Sequence, residues 1–137
     1  MRRPRERWVL LAAGIAALLA VGAAMARERH QQHEQLEARV TALTGGNPEA
    51  GPVLIGRYGC GGCHEIPGVT GARGKVGPSL KGVAGRVYIA GQLTNRPENM
   101  IRWIEHPHAI NPKTAMPEMG VTPSDARDIA AYLYTLQ

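Results

Sequence analysis

The two cysteines of this chain lie three residues apart in the segment "YGCGGCHEIPG" (58–68), and a histidine directly follows the second cysteine. Cys60, Cys63 and His64 combine two nucleophilic thiols with an imidazole. A CxxC pair can serve as a redox dithiol or as half of a zinc site, and with a following histidine it can attach haem c. The rest of the sequence distinguishes these chemistries.

Each alternative to haem lacks something that the surrounding sequence should supply. A redox dithiol of the thioredoxin type expects a βαβ context, whereas the flanks here are rich in Gly and Pro and show no alternating strand pattern. A zinc site needs two further ligands at ligand spacing, and His106 and His108 are only two residues apart. A disulfide between Cys60 and Cys63 would close a small strained ring and give the histidine no role.

Haem c attachment uses all three residues of the motif. The two thiols add to the porphyrin vinyl groups as thioethers, and His64 becomes the proximal ligand of the iron. The chain contains two cysteines, the number that this chemistry needs. The motif therefore predicts one covalent haem c with its iron, attached outside the cytoplasm.

An apolar run near the N-terminus predicts how the chain reaches that location. Residues 8–26, "WVLLAAGIAALLAVGAAMA", are uncharged, and about 20 apolar residues suffice to cross a membrane as a helix. The preceding segment, 1–7, contains Arg2, Arg3, Arg5 and Arg7 and should remain in the cytoplasm as the more positive flank. We therefore expect an anchor in a bacterial inner membrane, with the remainder of the chain on the periplasmic side.

A cleaved signal peptide is the alternative interpretation of the same run. Ala24, Met25 and Ala26 fit a small-x-small cleavage site, although the run is longer than the ~7–15 apolar residues typical of a signal core. Cleavage would leave a soluble periplasmic protein. Both interpretations export the C-terminal part.

A polar helical stalk is predicted between the membrane and the motif. Leu36, Val40 and Leu43 form a thin apolar seam at helical spacing, and Gly45 and Gly46 suit the end of the helix. The resulting domain assignment is a cytoplasmic basic segment 1–7, a transmembrane anchor 8–26, a helical stalk 27–46 and a motif-bearing domain 47–137.

Charge and composition constrain what this last domain does. The chain carries a net charge of +5, but residues 47–137 hold nine Lys or Arg against seven Asp or Glu. This near-neutral balance argues against a nucleic-acid surface. The chain has no Phe and only six aromatic residues, so we expect haem to fill part of the core.

One methionine is placed to supply a second iron ligand. Met116 lies in "NPKTAMPEMG" (111–120) between Pro112 and Pro117, which exclude a regular helix and favour a stiff loop. Met100 lies in "PENMIRWIEHP", where an amphipathic helical pattern places it in the core. The sequence favours Met116 as the ligand and leaves Met119 as the alternative.

These segments together resemble the class I cytochromes c over residues 48–137. "GPVLIGRYGCGGCH" is similar to the family's first helix, with Gly51 and Ile55 at its helix-packing positions. "TPSDARDIAAYLYTL" is similar to the last helix, which crosses the first through Tyr132 and is capped by Thr122 or Ser124. The resemblance implies an all-α cytochrome c fold around one covalent haem, preceded here by the transmembrane helix and stalk.

The resemblance also implies roles for residues outside the motif. "VGPSLKGVAGR" (76–86) is similar to the family's Gly-Pro-x-Leu segment, in which the Pro78 carbonyl would accept a hydrogen bond from His64 Nδ1. Arg86 and Thr114 match groups near the haem propionates, and Trp103 matches an aromatic on the methionine side. The family's propionate-binding Trp has no counterpart, because the stretch between Pro78 and Trp103 is shorter than in mitochondrial members.

Histidine and methionine on the same iron predict electron transfer. They leave no open iron position, which favours outer-sphere transfer over reaction with a small-molecule substrate. The sequence thus predicts an electron carrier, not an enzyme, between a quinol-oxidising donor (quinol–cytochrome c reductase) and a terminal oxidase or reductase. The alternatives are a haem c subunit of a larger membrane oxidoreductase and a peroxidase-type haem protein, but the 111–120 loop offers no distal His or Arg for the latter. The remaining histidines are interpreted as surface groups: His30, His33, His106 and His108.

Overall fold

The computed structural model describes residues 4–137, with side chains described from residue 8 onward. The side chains of the predicted basic segment 1–7 therefore lie outside the described residues. The chain divides between Gln35 and Leu36 into two compact units. The elements, in chain order, are α1 (Pro4–Thr44), α2 (Gly51–Arg57), a 3₁₀ helix (Cys60–Gly62), a second 3₁₀ helix (Val83–Gly85), β1 (Tyr88–Ile89), β2 (Leu93–Thr94), α3 (Pro97–Glu105), α4 (Pro107–Ile110) and α5 (Pro123–Thr135).

The first unit contains the apolar part of α1. Among the described residues, one helix is long and apolar enough to cross a membrane, with a mean hydropathy of 2.4 over its most apolar window. Its large apolar side chains are exposed, including Trp8, Leu11 and Leu18. A helix that is apolar on every side and unburied by protein suits a lipid environment. This helix could serve as a membrane anchor.

The last turns of α1 belong to the second compact unit. The helix ends at Thr44, and Gly45 follows with a left-handed φ of 68°, which confirms the predicted end of the stalk helix. Within the predicted apolar seam, Val40 is buried and Leu43 is 52% exposed. Thr44, at the end of the helix, is also buried, and its hydroxyl donates to the Val40 carbonyl (2.7 Å).

A mostly helical core forms the rest of this unit. Helix α5 packs against both α2 and α3, and their buried faces contribute most of the hydrophobic cluster. The predicted amphipathic helix is α3, which buries Met100, Trp103 and Ile104. The antiparallel β1–β2 hairpin and the four-residue α4 were not predicted, because elements this short do not produce a periodic pattern.

The crossing of α2 and α5 follows the family resemblance. Ile55 is 1% exposed, and a Cβ atom added at Gly51 would lie 2.2 Å from Tyr132 Cβ. The Tyr132 hydroxyl donates to the Pro67 carbonyl (2.6 Å). At the start of α5, Thr122 Oγ1 accepts the Asp125 N–H (3.2 Å), so Thr122 rather than Ser124 is the cap.

Substituting Gly51→Ala should therefore destabilise the protein, because the added methyl group has no room at the crossing. Overpacking of this kind costs about 1–3 kcal/mol, measurable as a lower midpoint of guanidinium unfolding. Gly56→Ala is the matched control in the same helix, where an added Cβ meets nothing within 4 Å. It should raise stability by about 0.5–1 kcal/mol through helix propensity, and equal effects of the two variants would contradict the close crossing.

Candidate functional site

A cavity of about 320 Å³ lies inside the second unit. Close-packed protein interiors contain few voids larger than a water molecule, whereas cofactor sites span roughly 300–1,000 Å³. Apolar side chains from α2, α3 and α5 form much of the wall, including Ile55, Ile104 and Leu133. All eight residues assigned to the site from sequence line this cavity: Cys60, Cys63, His64, Pro78, Arg86, Trp103, Thr114 and Met116.

A tight turn brings the three motif residues to the cavity. The first 3₁₀ helix spans Cys60–Gly62, and the His64 N–H donates to the Cys60 carbonyl (3.0 Å). The cysteines are not joined to each other. Burial, reinforced by the charge of Cys63, raises the pKa of the Cys60 thiol. A redox dithiol reacts through the thiolate form of a cysteine, so a raised thiol pKa does not favour that chemistry.

The imidazole of His64 is held in one tautomer by the backbone. Its Nδ1 lies 2.8 Å from the Pro78 carbonyl oxygen, and since a carbonyl only accepts, Nδ1 must carry the proton. Nε2 is then left with a free lone pair, as a metal-binding histidine requires. A Cβ atom added at Gly77 would lie 2.4 Å from His64 Cε1, so only glycine lets this backbone lie against the ring.

Arg86 stabilises the segment that follows Pro78. Its guanidinium donates to the backbone carbonyls of Ser79 and Lys81 (3.2 Å). The side chain is half-buried and also lines the cavity. Arg86 thus supports the loop whose Pro78 carbonyl orients His64. The contact with a haem propionate that the resemblance implies for Arg86 stays a prediction.

Asn95 joins this loop to α5, a role that the sequence analysis missed. The Asn95 side-chain amide donates to the carbonyls of Val83 (2.9 Å) and Arg86 (2.8 Å), and its Oδ1 accepts the Tyr134 hydroxyl (2.7 Å). Burial, with the charge of Glu98, raises the pKa of Tyr134 to about 12, so the hydroxyl stays a donor at neutral pH. No local pattern signals such contacts, because they join positions distant in sequence.

Three methionines also line the cavity: Met100, Met116 and Met119. Residues 111–120 contain no regular helix or strand, as the two prolines predicted, and Met116 in this loop is half-buried. The Met116 N–H donates to Thr114 Oγ1 (3.2 Å). Met119 also lines the cavity but is 40% exposed, whereas Met100 is 3% exposed within the core of α3. Burial therefore favours Met116 over Met119 as the group facing a cofactor.

The residues around the cavity fit haem c. The cavity offers a mostly apolar lining for a porphyrin, two thiols beside it, and an imidazole whose Nε2 is free. Imidazole and thioether are a ligand pair used by haem iron in electron-transfer proteins. The interior that lacks phenylalanine thus has the size and the donor groups for this group.

Comparisons with known proteins agree with this fit. Residues 48–137 match the family described as Cytochrome c. The chain is 38% identical to "Cytochrome c2" of Rhodopila globiformis over 89 residues, covering 55% of this chain and 80% of that protein. It is 30% identical to "Cytochrome c oxidase subunit 2" of Alkalihalophilus pseudofirmus over 105 residues, covering 76% of this chain.

The two relatives differ in how much of them this chain represents. The match spans most of the cytochrome c2 but only 30% of the oxidase subunit. Both matches are with proteins whose names place them in electron transfer, and the family model covers about two thirds of the chain, including the whole cavity wall. The chain therefore belongs to the Cytochrome c family, whose members are electron carriers that hold haem c covalently.

Proposed function

We propose that this protein is a membrane-anchored monohaem cytochrome c that carries single electrons between respiratory complexes. The observation that carries the proposal is that His64 and Met116 line one cavity together with both cysteines. The haem supplies one-electron redox chemistry, and the chain supplies attachment, ligands and insulation from water. Cys60 and Cys63 are the thioether positions, and His64 is the proximal ligand.

The ligand pair decides between electron transfer and catalysis. With His64 and Met116 both bound to the iron, no iron position would be left for a substrate, which would suit outer-sphere transfer. His/Met ligation also raises the reduction potential. The protein is accordingly not an enzyme, and it acts without a small-molecule substrate.

The N-terminal helix supports a membrane location for the carrier. Its apolar stretch from residue 8 to 26 is the anchor, and the basic flank before it holds the N-terminus in the cytoplasm. The haem domain then faces the periplasm of a bacterial inner membrane, with residues 27–46 as its connection. Quinol–cytochrome c reductase is the proposed donor, and a terminal oxidase or reductase is the proposed acceptor.

The weak charge of the haem domain is consistent with a tethered carrier. Residues 47–137 include only three lysines, and nine basic groups face seven acidic ones. Electrostatic steering accelerates encounters of strongly charged, freely diffusing partners and weakens with salt. A tethered domain depends less on steering, because the tether keeps its effective concentration near membrane partners high.

A second candidate function is a haem c subunit within a larger oxidoreductase. The match to the oxidase subunit 2 of A. pseudofirmus is 105 residues long, longer than the family-matched stretch 48–137, so it includes residues of the predicted stalk. The sequence similarity to the oxidase subunit therefore extends beyond the haem domain. In that case the protein would remain bound to an oxidase instead of moving between complexes.

Replacement of the two cavity methionines tests the ligand assignment. Met116→Ala should abolish the weak charge-transfer absorption of the oxidised His/Met haem, lower the reduction potential and admit cyanide to the iron, because the thioether ligand is lost. Met119→Ala is the matched control and should retain the band and the potential. The opposite pattern would transfer the ligand role to Met119.

Membrane fractionation tests the anchor and separates the two candidate functions. The intact protein should sediment with membranes and resist a high-salt wash, since apolar burial rather than charge holds it there. Removal of residues 1–26 behind a substitute cleavable signal should release a soluble holoprotein that transfers electrons poorly to membranes at low concentration.

The state of the solubilised protein decides the remaining question. After mild detergent treatment, a free carrier should migrate at the size of one chain with its detergent, whereas an oxidase subunit should co-migrate with other haem-containing chains. A native N-terminus at Arg27 would contradict the anchor and indicate a soluble periplasmic carrier.

A further inference from the structure

The loop that carries Met116 is tied at two points to a single residue, His108. On the N-terminal side of Met116, the Thr114 carbonyl oxygen lies 3.3 Å from His108 Nε2. On its C-terminal side, Glu118 Oε1 accepts the His108 N–H (3.1 Å). Thr114 and Glu118 are each two residues from Met116, so the two contacts bracket the methionine symmetrically.

Each contact has a defined chemical direction. A carbonyl only accepts, so His108 Nε2 must carry a proton and donate to Thr114. The Glu118 carboxylate accepts from the backbone N–H and also lies 3.8 Å from His108 Nδ1. His108 therefore contacts the loop through both its ring and its backbone, once on each side of Met116.

The position of His108 in the fold makes it a firm attachment point. It lies in α4, where the preceding Pro107 is among the most fully buried side chains of the described chain. The loop itself has little other support, because residues 117–120 are exposed. The Thr114 N–H donates to the Asn111 carbonyl (3.0 Å), which orders the start of the loop but not the part after Met116.

We propose that His108 is a positioning residue for Met116. Its hydrogen bonds to both flanks of the ligand loop keep the methionine on the iron. The inference rests on the proposed role of Met116. His108 does not contact the haem in this account; it acts by slowing the excursions of the loop that would remove the sulfur. His108 is a surface residue, as expected from the sequence, with 43% of its side chain exposed. The proposal adds to this a role in ligand retention.

His106 provides a natural comparison for this role. Its Nδ1 lies 3.7 Å from Glu118 Oε2, and its side chain is 69% exposed. It thus shares the carboxylate with His108 but has no hydrogen bond to the Thr114 side of the loop among the described contacts. Exposed ion pairs contribute little, so the two histidines should differ sharply in their effect on Met116.

The rate of cyanide binding to the oxidised full-length holoprotein measures loop opening, because cyanide reaches the iron only after the methionine leaves. At saturating cyanide, His108→Ala should bind about fivefold faster than wild type, the effect of losing one hydrogen bond of ordinary strength. The bond lost is that from Nε2 to the Thr114 carbonyl, whereas the backbone N–H to Glu118 remains in this variant. The charge-transfer band should persist, since the methionine is still bound most of the time. The guanidinium unfolding midpoint should change little, which separates loop opening from global destabilisation.

Three further variants complete the test. His108→Gln keeps a donor near the Nε2 position and should return the rate to within about twofold of wild type, and His106→Gln should stay within the same limit. An unchanged rate of cyanide binding in His108→Ala, or an equal acceleration in His106→Gln, would overturn the positioning role of His108. Met116→Ala separates the two proposals. If this variant binds cyanide no faster than wild type, the ligand assignment itself fails. If it binds cyanide fast but His108→Ala has no effect, only the positioning role of His108 is refuted.

Discussion

The interior of the haem domain depends on a space that its own side chains do not fill. Apolar side chains from the helices α2, α3 and α5 line this space, among them Ile55, Ile104 and Leu133. Protein interiors are otherwise close-packed, so the arrangement of these helices requires a large apolar group between them. Haem c satisfies this requirement. It also explains why the sequence contains no phenylalanine, because the porphyrin takes the place of large aromatic side chains in the core.

The two walls of the cavity are stabilised in different ways. On the motif side, a five-residue segment provides both thiols and the imidazole, and the Pro78 carbonyl at 2.8 Å fixes the ring. Gly77 and Arg86 hold the backbone that makes this contact. On the methionine side, one side chain stands on a loop without regular structure, held by a few hydrogen bonds. With the ligands proposed above, exchange should therefore begin at Met116, while the attachment to the motif stays intact.

Whether a feature could be predicted from sequence depends on how far apart in the chain its interacting residues lie. The motif and the helix ends at Thr44 and Thr122 are marked by residue types with local steric or chemical consequences. The close approach at Gly51, by contrast, was expected only from the family resemblance. The apolar seam of Leu36, Val40 and Leu43 was predicted from helical spacing, which identifies a face but not where along that face packing begins. In the structure Val40 is buried and Leu43 is exposed. The bonds of Asn95 and His108 could not be predicted, since each joins loop backbone to a side chain through a path set by the whole fold. The hairpin and α4 were too short to leave a periodic signal.

Haem should be held in this cavity through covalent bonds to Cys60 and Cys63. Denaturing mass spectrometry of the protein, produced together with haem maturation machinery, measures that attachment. The added mass of one haem should survive denaturation and be absent from the Cys60→Ala, Cys63→Ala double variant. An unmodified mass, or a zinc adduct in place of the haem, would contradict it.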